Sequence, residues 1–274
     1  MKQPNYLEII KSDTRKGDFH HAVLDFDGTI SLIRQGWQEI MLPYFVDELT
    51  GTPVGKTMDI NKLQTIAKEF IDVNTGKQTI YQCISLAEKI TQMGGMAEPA
   101  ITYKDEYHRR LLEKIQYRLD ALEDGTIKPE EYLVPGSIAL LEMLRRHGVA
   151  LYLASGTDEH YVLNEAKLLG VTDYFAGHIY GAQSDYQHFS KKMVIDRIIR
   201  ENQLCGSELI GFGDGYVEIE NIKEVDGFAC GVASNEDLRS GTDEWKRGRL
   251  IKAGADIIIP DYSSIDVLEH YLFD

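Results

Sequence analysis

Four short polar clusters in the sequence each sit where chemistry could be done. Asp25-Phe26-Asp27-Gly28-Thr29 places two carboxylates one residue apart after the apolar run HAVL. Ser155-Gly156-Thr157 follows VALYLA, and Gly213-Asp214 closes LIGFGD, with Glu218 four residues beyond that aspartate. Lys191 and Lys192 follow Ser190, a residue type that caps helix starts. Carboxylates, a hydroxyl and a lysine are the parts needed to move a phosphoryl group off a monoester. That hydrolysis is so slow unaided that its enzymes reach accelerations near ~10²¹. A carboxylate nucleophile divides it into two easier steps through an acyl phosphate. A divalent cation offsets the repulsion between that carboxylate and the phosphate dianion. Hydrogen-bond donors hold the phosphoryl oxygens, and a general acid protonates the leaving oxygen.

These residues need elements to bring them together. Apolar runs at 21–27, 149–155, 178–182, 209–214 and 227–234 read as strands, and 256–261 (DIIIPD) as a further strand at the edge. Helical patterns separate them. Residues 137–147 end at Gly148. Residues 158–169 follow Thr157 as a candidate N-cap and stop at Gly170. Residues 190–202 open on Ser190, and 216–224 follow the fourth strand directly. Near-continuous apolar strands alternating with helices predict an α/β fold, a doubly wound, mainly parallel sheet covered on both faces. In such sheets ligands sit at the carboxyl ends of the strands, where all four polar clusters fall.

The segment between the first two strands is different. It holds almost no strand signal and reads as helices around 37–49, 61–73, 78–93 and 103–122. A crossover needs about a dozen residues. Residues 32–133 therefore predict an inserted, all-helical domain. The catalytic core is expected over 21–31 plus 134–274, and 1–20 reads as a polar N-terminal extension.

The four clusters, in this order, resemble the motifs of the haloacid dehalogenase (HAD) superfamily. DFDGT is similar to its DxDx[TV] signature. Ser155 resembles its second motif and the helix-starting Lys191 its third. Gly213-Asp214 with Glu218 resembles GDxxx[DE]. The resemblance implies a HAD-like Rossmannoid core whose insertion is a C1-type helical cap. It implies Asp25 as nucleophile and magnesium ligand, and Asp27 as general acid and then base, its backbone carbonyl also on the metal. Ser155 and the N–H of Gly156 would hold the phosphoryl group, and Lys191 would neutralise charge. Asp214 would bind Mg²⁺ directly, with Glu218 supporting it through water. Thr29 and Arg34 are further candidates for substrate binding. Asp27 resembles the acid of phosphatases and mutases, where relatives that keep a long-lived aspartyl phosphate carry threonine. The implied activity is a Mg²⁺-dependent phosphatase of phosphoglycolate-phosphatase-like type. Its partner is a small phosphorylated sugar or organic acid closed beneath the cap. A phosphomutase resembling β-phosphoglucomutase, or a non-catalytic ligand-binding module on the same fold, are the alternatives.

The bland readings stay in view. Asp-Gly is a common turn signal, and Glu218 suits a first helical turn without any metal. Arg34, at the exit toward the insertion, is equally readable as a solvated surface arginine. Lys192 competes with Lys191, and Lys77 is a weaker anion-binding candidate. GTPVGKT at 51–57 imitates a phosphate-binding loop but has three residues between its glycines where four are needed, and follows a helix-like segment. Eight histidines lack HExxH spacing, which argues against zinc. Three dispersed cysteines read as reduced, mostly buried thiols. The formal charge of −15 argues against nucleic acid and anionic membrane partners. No apolar run approaches a membrane span and no signal core opens the chain, so a cytoplasmic monomer or homodimer is expected.

Overall fold

A computed structural model of the chain describes residues 6–12, 14, 16, 18–183 and 185–274. Of the expected extension at 1–20, residues 1–5, 13, 15 and 17 lie outside the described residues. The chain forms two compact units, Met1–Gln35 with Arg118–Asp274, and Gly36–Tyr117.

The first unit is built on a seven-stranded sheet in the order β1-β7-β6-β5-β2-β3-β4. The strands are β1 (Glu8–Ile9), β2 (His21–Leu24), β3 (Ala150–Asp158), β4 (Ile179–Ala182), β5 (Leu209–Gly213), β6 (Phe228–Val232) and β7 (Ile257–Ile259). β2 lies between β5 and β3 and pairs in parallel with both: His21 stands opposite Leu209 and Ala150, and Leu24 opposite Phe212 and Leu153. The chain moves outward from β2 through β3 to β4, then returns to β5 on the other side. The strand order therefore reverses around β2, the switch point where open sheets bind ligands. β5 and β6 are buried along their whole length, which is why they read as continuous apolar runs.

Two expectations are corrected here. The run at 256–261 does not lie at the sheet edge. Glu8 and Ile9, from the extension, pair antiparallel with Ile258 and Ile257 and cover it. Thr157 does not cap the following helix. β3 continues through it to Asp158, with a register shift between Ala154 and Asp158, and its hydroxyl is engaged elsewhere.

The second unit is helical: α1 (Gln38–Thr50), α2 (Ile60–Asn74), α3 (Thr79–Gln92) and the part of α4 (Ala100–Glu123) up to Tyr117. Leu63, Ala67 and Ile71 recur every four residues on α2 and are buried, as an amphipathic helix requires. Phe45, Leu49, Leu86 and Ile90 join them in the interior. The GTPVGKT segment follows α1 and turns as a short 3₁₀ helix at Gly55–Thr57, so no strand precedes it. Lys77 donates to Asn74 Oδ1 at 3.2 Å within this unit.

Helices α5 (Ser137–Arg146), α6 (Glu159–Leu168), α7 (Lys191–Asn202), α8 (Tyr216–Glu224), α9 (Glu244–Ala253) and α10 (Ile265–Phe273) complete the first unit. Ser190 caps α7 by accepting from the Met193 N–H. Val23, Ile195, Ile198, Leu209, Ile222 and Ile258 are part of one buried cluster that packs helices onto the sheet. Cys83 and Cys230 are buried thiols, whereas Cys205 is exposed. Among the described residues no helix is long and apolar enough to cross a membrane.

Candidate active site

Asp25 is the first residue past β2, and its N–H donates to the Phe212 carbonyl of β5 at 2.9 Å. Its side chain is buried, and Oδ1 accepts from Lys191 Nζ at 2.7 Å. Lys191 opens α7 and is buried in turn, and its ammonium also contacts Glu218 in the first turn of α8. Gly213 makes room for this approach: a Cβ there would fall 2.7 Å from Glu218 Cβ. Burial pushes the Asp25 carboxyl well above the usual range; Lys191 opposes that rise, while Glu218 and Asp214 add to it. Burial works against the Lys191 charge, but Asp25 and Glu218 more than compensate and hold its pKa above the ordinary value. Lys192 points away, exposed and paired with Glu224 at 2.6 Å.

Asp27 is held from β3. Successive strand side chains alternate in direction, so Ser155 and Thr157 share one face. Both hydroxyls donate to Asp27 Oδ2, Thr157 at 2.8 Å and Ser155 at 3.3 Å. Gly156 lies between them in the strand. The other oxygen, Asp27 Oδ1, is buried with no hydrogen-bond partner, and Arg34 Nε stands 3.9 Å from it. Arg34 is not a solvated surface residue. It is 5% exposed and locked onto Glu165 of α6, with Nη2 to Oε1 at 2.7 Å and Nε to Oε1 at 3.0 Å.

Thr29 is fully buried, and what it does in the structure is join strands. Its hydroxyl accepts from the Asp214 N–H at 3.0 Å, and its carbonyl accepts from the Tyr262 hydroxyl at 3.1 Å. Asp214 thus follows β5 tied to the DFDGT loop. Its carboxylate lies against Gly28, where an added Cβ would meet Asp214 Oδ2 at 2.2 Å. Gly28 has φ +75°, so both its conformation and its surroundings demand glycine.

Four residues in this neighbourhood went unassigned by the sequence. Thr157 was read as a helix cap. Glu165 is one acid among several on an amphipathic helix. Lys246 of α9 pairs with Asp214 Oδ2 at 2.8 Å and with Glu236 Oε1 at 2.6 Å. Asp243 caps α9 and Gly254 ends it, but nothing local in the sequence marks Lys246 as buried.

The donor set is oxygen-only and carries a surplus of negative charge. Two buried carboxylate oxygens, Asp27 Oδ1 and Glu218 Oε2, lack a hydrogen-bond partner, and burial, with Glu218 and Asp214 adding to it, pushes the Asp25 carboxyl toward protonation. A hard divalent cation beside Asp25, Asp214 and Glu218 would offset that negative charge, so the residues fit magnesium. Among the described residues no three acids, histidines or cysteines are arranged as a ready-made metal cluster. Asp25 and Asp214 instead each face a lysine ammonium.

Comparison with known proteins agrees with this core. The profile of the haloacid dehalogenase-like hydrolases matches residues 19–226. Comparison with curated proteins gives no match. Among solved structures, a protein described as a predicted phosphoglycolate phosphatase from Haemophilus somnus 129PT superposes with a TM-score of 0.60 at 14% identity, covering 92% of this chain and 98% of that one. A predicted phosphatase from Clostridium acetobutylicum gives 0.57 at 17% identity, covering 92% and 97%. A β-phosphoglucomutase from Clostridium difficile gives 0.52 at 17% identity, covering 85% and 98%. At these identities the likeness is one of fold. With the family profile spanning most of the sequence, the chain belongs to the haloacid dehalogenase-like hydrolases.

Proposed function

We propose that the chain is a Mg²⁺-dependent phosphatase that hydrolyses a small phosphomonoester through an aspartyl phosphate on Asp25. One observation carries this reading: Asp25 is buried at a strand end with its carboxylate on the Lys191 ammonium, and Asp27, two residues on, is held by the hydroxyls of Ser155 and Thr157.

The first step forms a bond from Asp25 Oδ2, the oxygen Lys191 leaves, to phosphorus. The phosphorus–oxygen bond to the leaving group breaks, and Asp27 gives that oxygen its proton. In the second step Asp27 takes a proton from water as the water attacks phosphorus. The bond from phosphorus to Asp25 breaks, inorganic phosphate leaves, and both aspartates return to their starting states. Lys191 offsets the negative charge on Asp25 and the phosphoryl oxygens. Ser155 and the Gly156 N–H are assigned to holding those oxygens. Asp25, Asp214 and the Asp27 carbonyl would hold the magnesium, with Glu218 nearby. When bound it supplies charge neutralisation for the phosphate dianion. The choice of substrate is assigned to the helical unit as a cap.

A panel of phosphorylated sugars and organic acids, incubated with and without magnesium, tests this. Release of inorganic phosphate that needs the metal supports the reading. An isomeric sugar phosphate as product would make the protein a mutase, and no turnover of any ester would overturn the assignment.

A further inference from the structure

Lys246, buried, and Glu236, half-buried, form a pair beside Asp214 that the proposed steps do not use. Lys246 lies in the first turn of α9, where Asp243 caps the helix by accepting from the N–H groups of Trp245 and Lys246, each at 2.9 Å. A cation in a first turn opposes the helix dipole, and a buried ammonium is costly unless paired. This one is satisfied by three oxygens: Asp214 Oδ2 at 2.8 Å, Glu236 Oε1 at 2.6 Å and Ser234 Oγ at 3.2 Å. Ser234 Oγ in turn donates to the Gly28 carbonyl at 2.8 Å, which anchors the group to the DFDGT loop. A Cβ on Gly28 would lie 2.2 Å from Asp214 Oδ2 and 3.1 Å from Glu236 Oε1. Asp214 Oδ2 is therefore fixed between the Gly28 backbone and the Lys246 ammonium.

An ammonium seated on one carboxylate oxygen competes with a cation for that oxygen and leaves the other as the better donor. Magnesium accepts this, because it binds few carboxylates in a strict octahedron and keeps several waters. Calcium collects six to eight oxygens and readily takes both oxygens of one carboxylate. We infer that Lys246 is a positioning residue that holds Asp214 Oδ2, limits this carboxylate to one oxygen toward the metal, and thereby favours Mg²⁺ over Ca²⁺. The inference rests on the reading in which Asp214 is a metal ligand. Glu236 Oε1 accepts from the same ammonium, a hydrogen bond that a glutamine amide oxygen can also accept.

The test is calorimetric titration of the metal-free protein with Mg²⁺ and with Ca²⁺, comparing the ratio of the two affinities. K246M should shift that ratio toward Ca²⁺ by about tenfold or more, some 1.4 kcal/mol. K246R, which keeps the cation, and E236Q, which keeps the lysine, should retain the ratio within about threefold. An unmoved ratio in K246M overturns the inference while leaving the metal site standing, provided the unaltered protein binds Mg²⁺. An equal shift in E236Q would trace the effect to loosened packing and overturn it as well. Absence of binding of either ion to the unaltered protein would overturn the metal reading and this inference with it.

Discussion

At the scale of single residues, buried charges are tolerated because each faces an opposite one. Lys191 lies between Asp25 and Glu218, Lys246 between Asp214 and Glu236, and Arg34 against Glu165. Breaking such a pair strands its partner. E165Q should cost about 3–5 kcal/mol in denaturant unfolding, and the double change E165Q/R34M should recover much of that loss. No recovery would mean that the two residues stabilise the fold separately. For the chemistry, D25N should lower turnover by about 10⁴-fold or more. Its melting temperature should hold, since a surplus negative charge is removed while Lys191 keeps Glu218. Asp25, Asp27, Ser155, Lys191 and Asp214 were legible because each falls at a strand end or helix start within a recognisable spacing. Glu165, Glu236 and Lys246 were not. A lone charge on a helix or loop looks solvated until the fold supplies its partner: Arg34 lies 131 residues from Glu165, and Lys246 meets Asp214 and Glu236 only once α9 packs on the sheet.

At the scale of elements, the ends of strands and helices decide where the functional groups point. β3 extends past Ala154, so the two-residue period of a strand aims Ser155 and Thr157 together at Asp27. T157V should remove the shorter of the two ties while leaving strand packing nearly unchanged. If Asp27 is the acid, esters with poor leaving groups should lose more rate than those with good ones; an equal loss would place Thr157 outside the proton transfer. The sheet edge has its own device. Arg247 of α9 grips Glu8 of β1, with both hydrogen bonds at 2.6 Å. That hydrogen bonding lowers the Glu8 pKa against the opposing effect of burial. A carboxyl whose pKa falls on folding stabilises above its unfolded value, near ~4.3, and loses that contribution as pH falls through the folded value. Hydrogen-exchange protection of β1 should therefore decline on acidification below pH ~4.3. E8Q should lose part of that protection already at neutral pH, at a cost of about 0.5–1 kcal/mol. The strand β1 itself escaped the sequence reading because two residues carry no usable period.

At the scale of the whole molecule, one sheet and one helical unit each have a buried interior. The strands and the helical insertion were visible from apolar periodicity. The division at 117/118 was not, because it falls inside the continuous helix α4, where no glycine or proline marks it. Separate interiors predict separable stability. L86A, in the interior of α3, should cost about 2–5 kcal/mol and reduce exchange protection mainly within 36–117, leaving β2 and β5 protected. Equal loss in both units would show that they unfold as one. The function proposed for the whole rests on a covalent phosphoryl group at Asp25. The most direct test is mass spectrometry of acid-quenched D27N protein after a brief reaction with an ester of a good leaving group. The account predicts one added phosphoryl mass on the peptide that contains Asp25, because the second step lacks its base. Phosphate release with no adduct on that peptide, together with full activity in D25N, would contradict it.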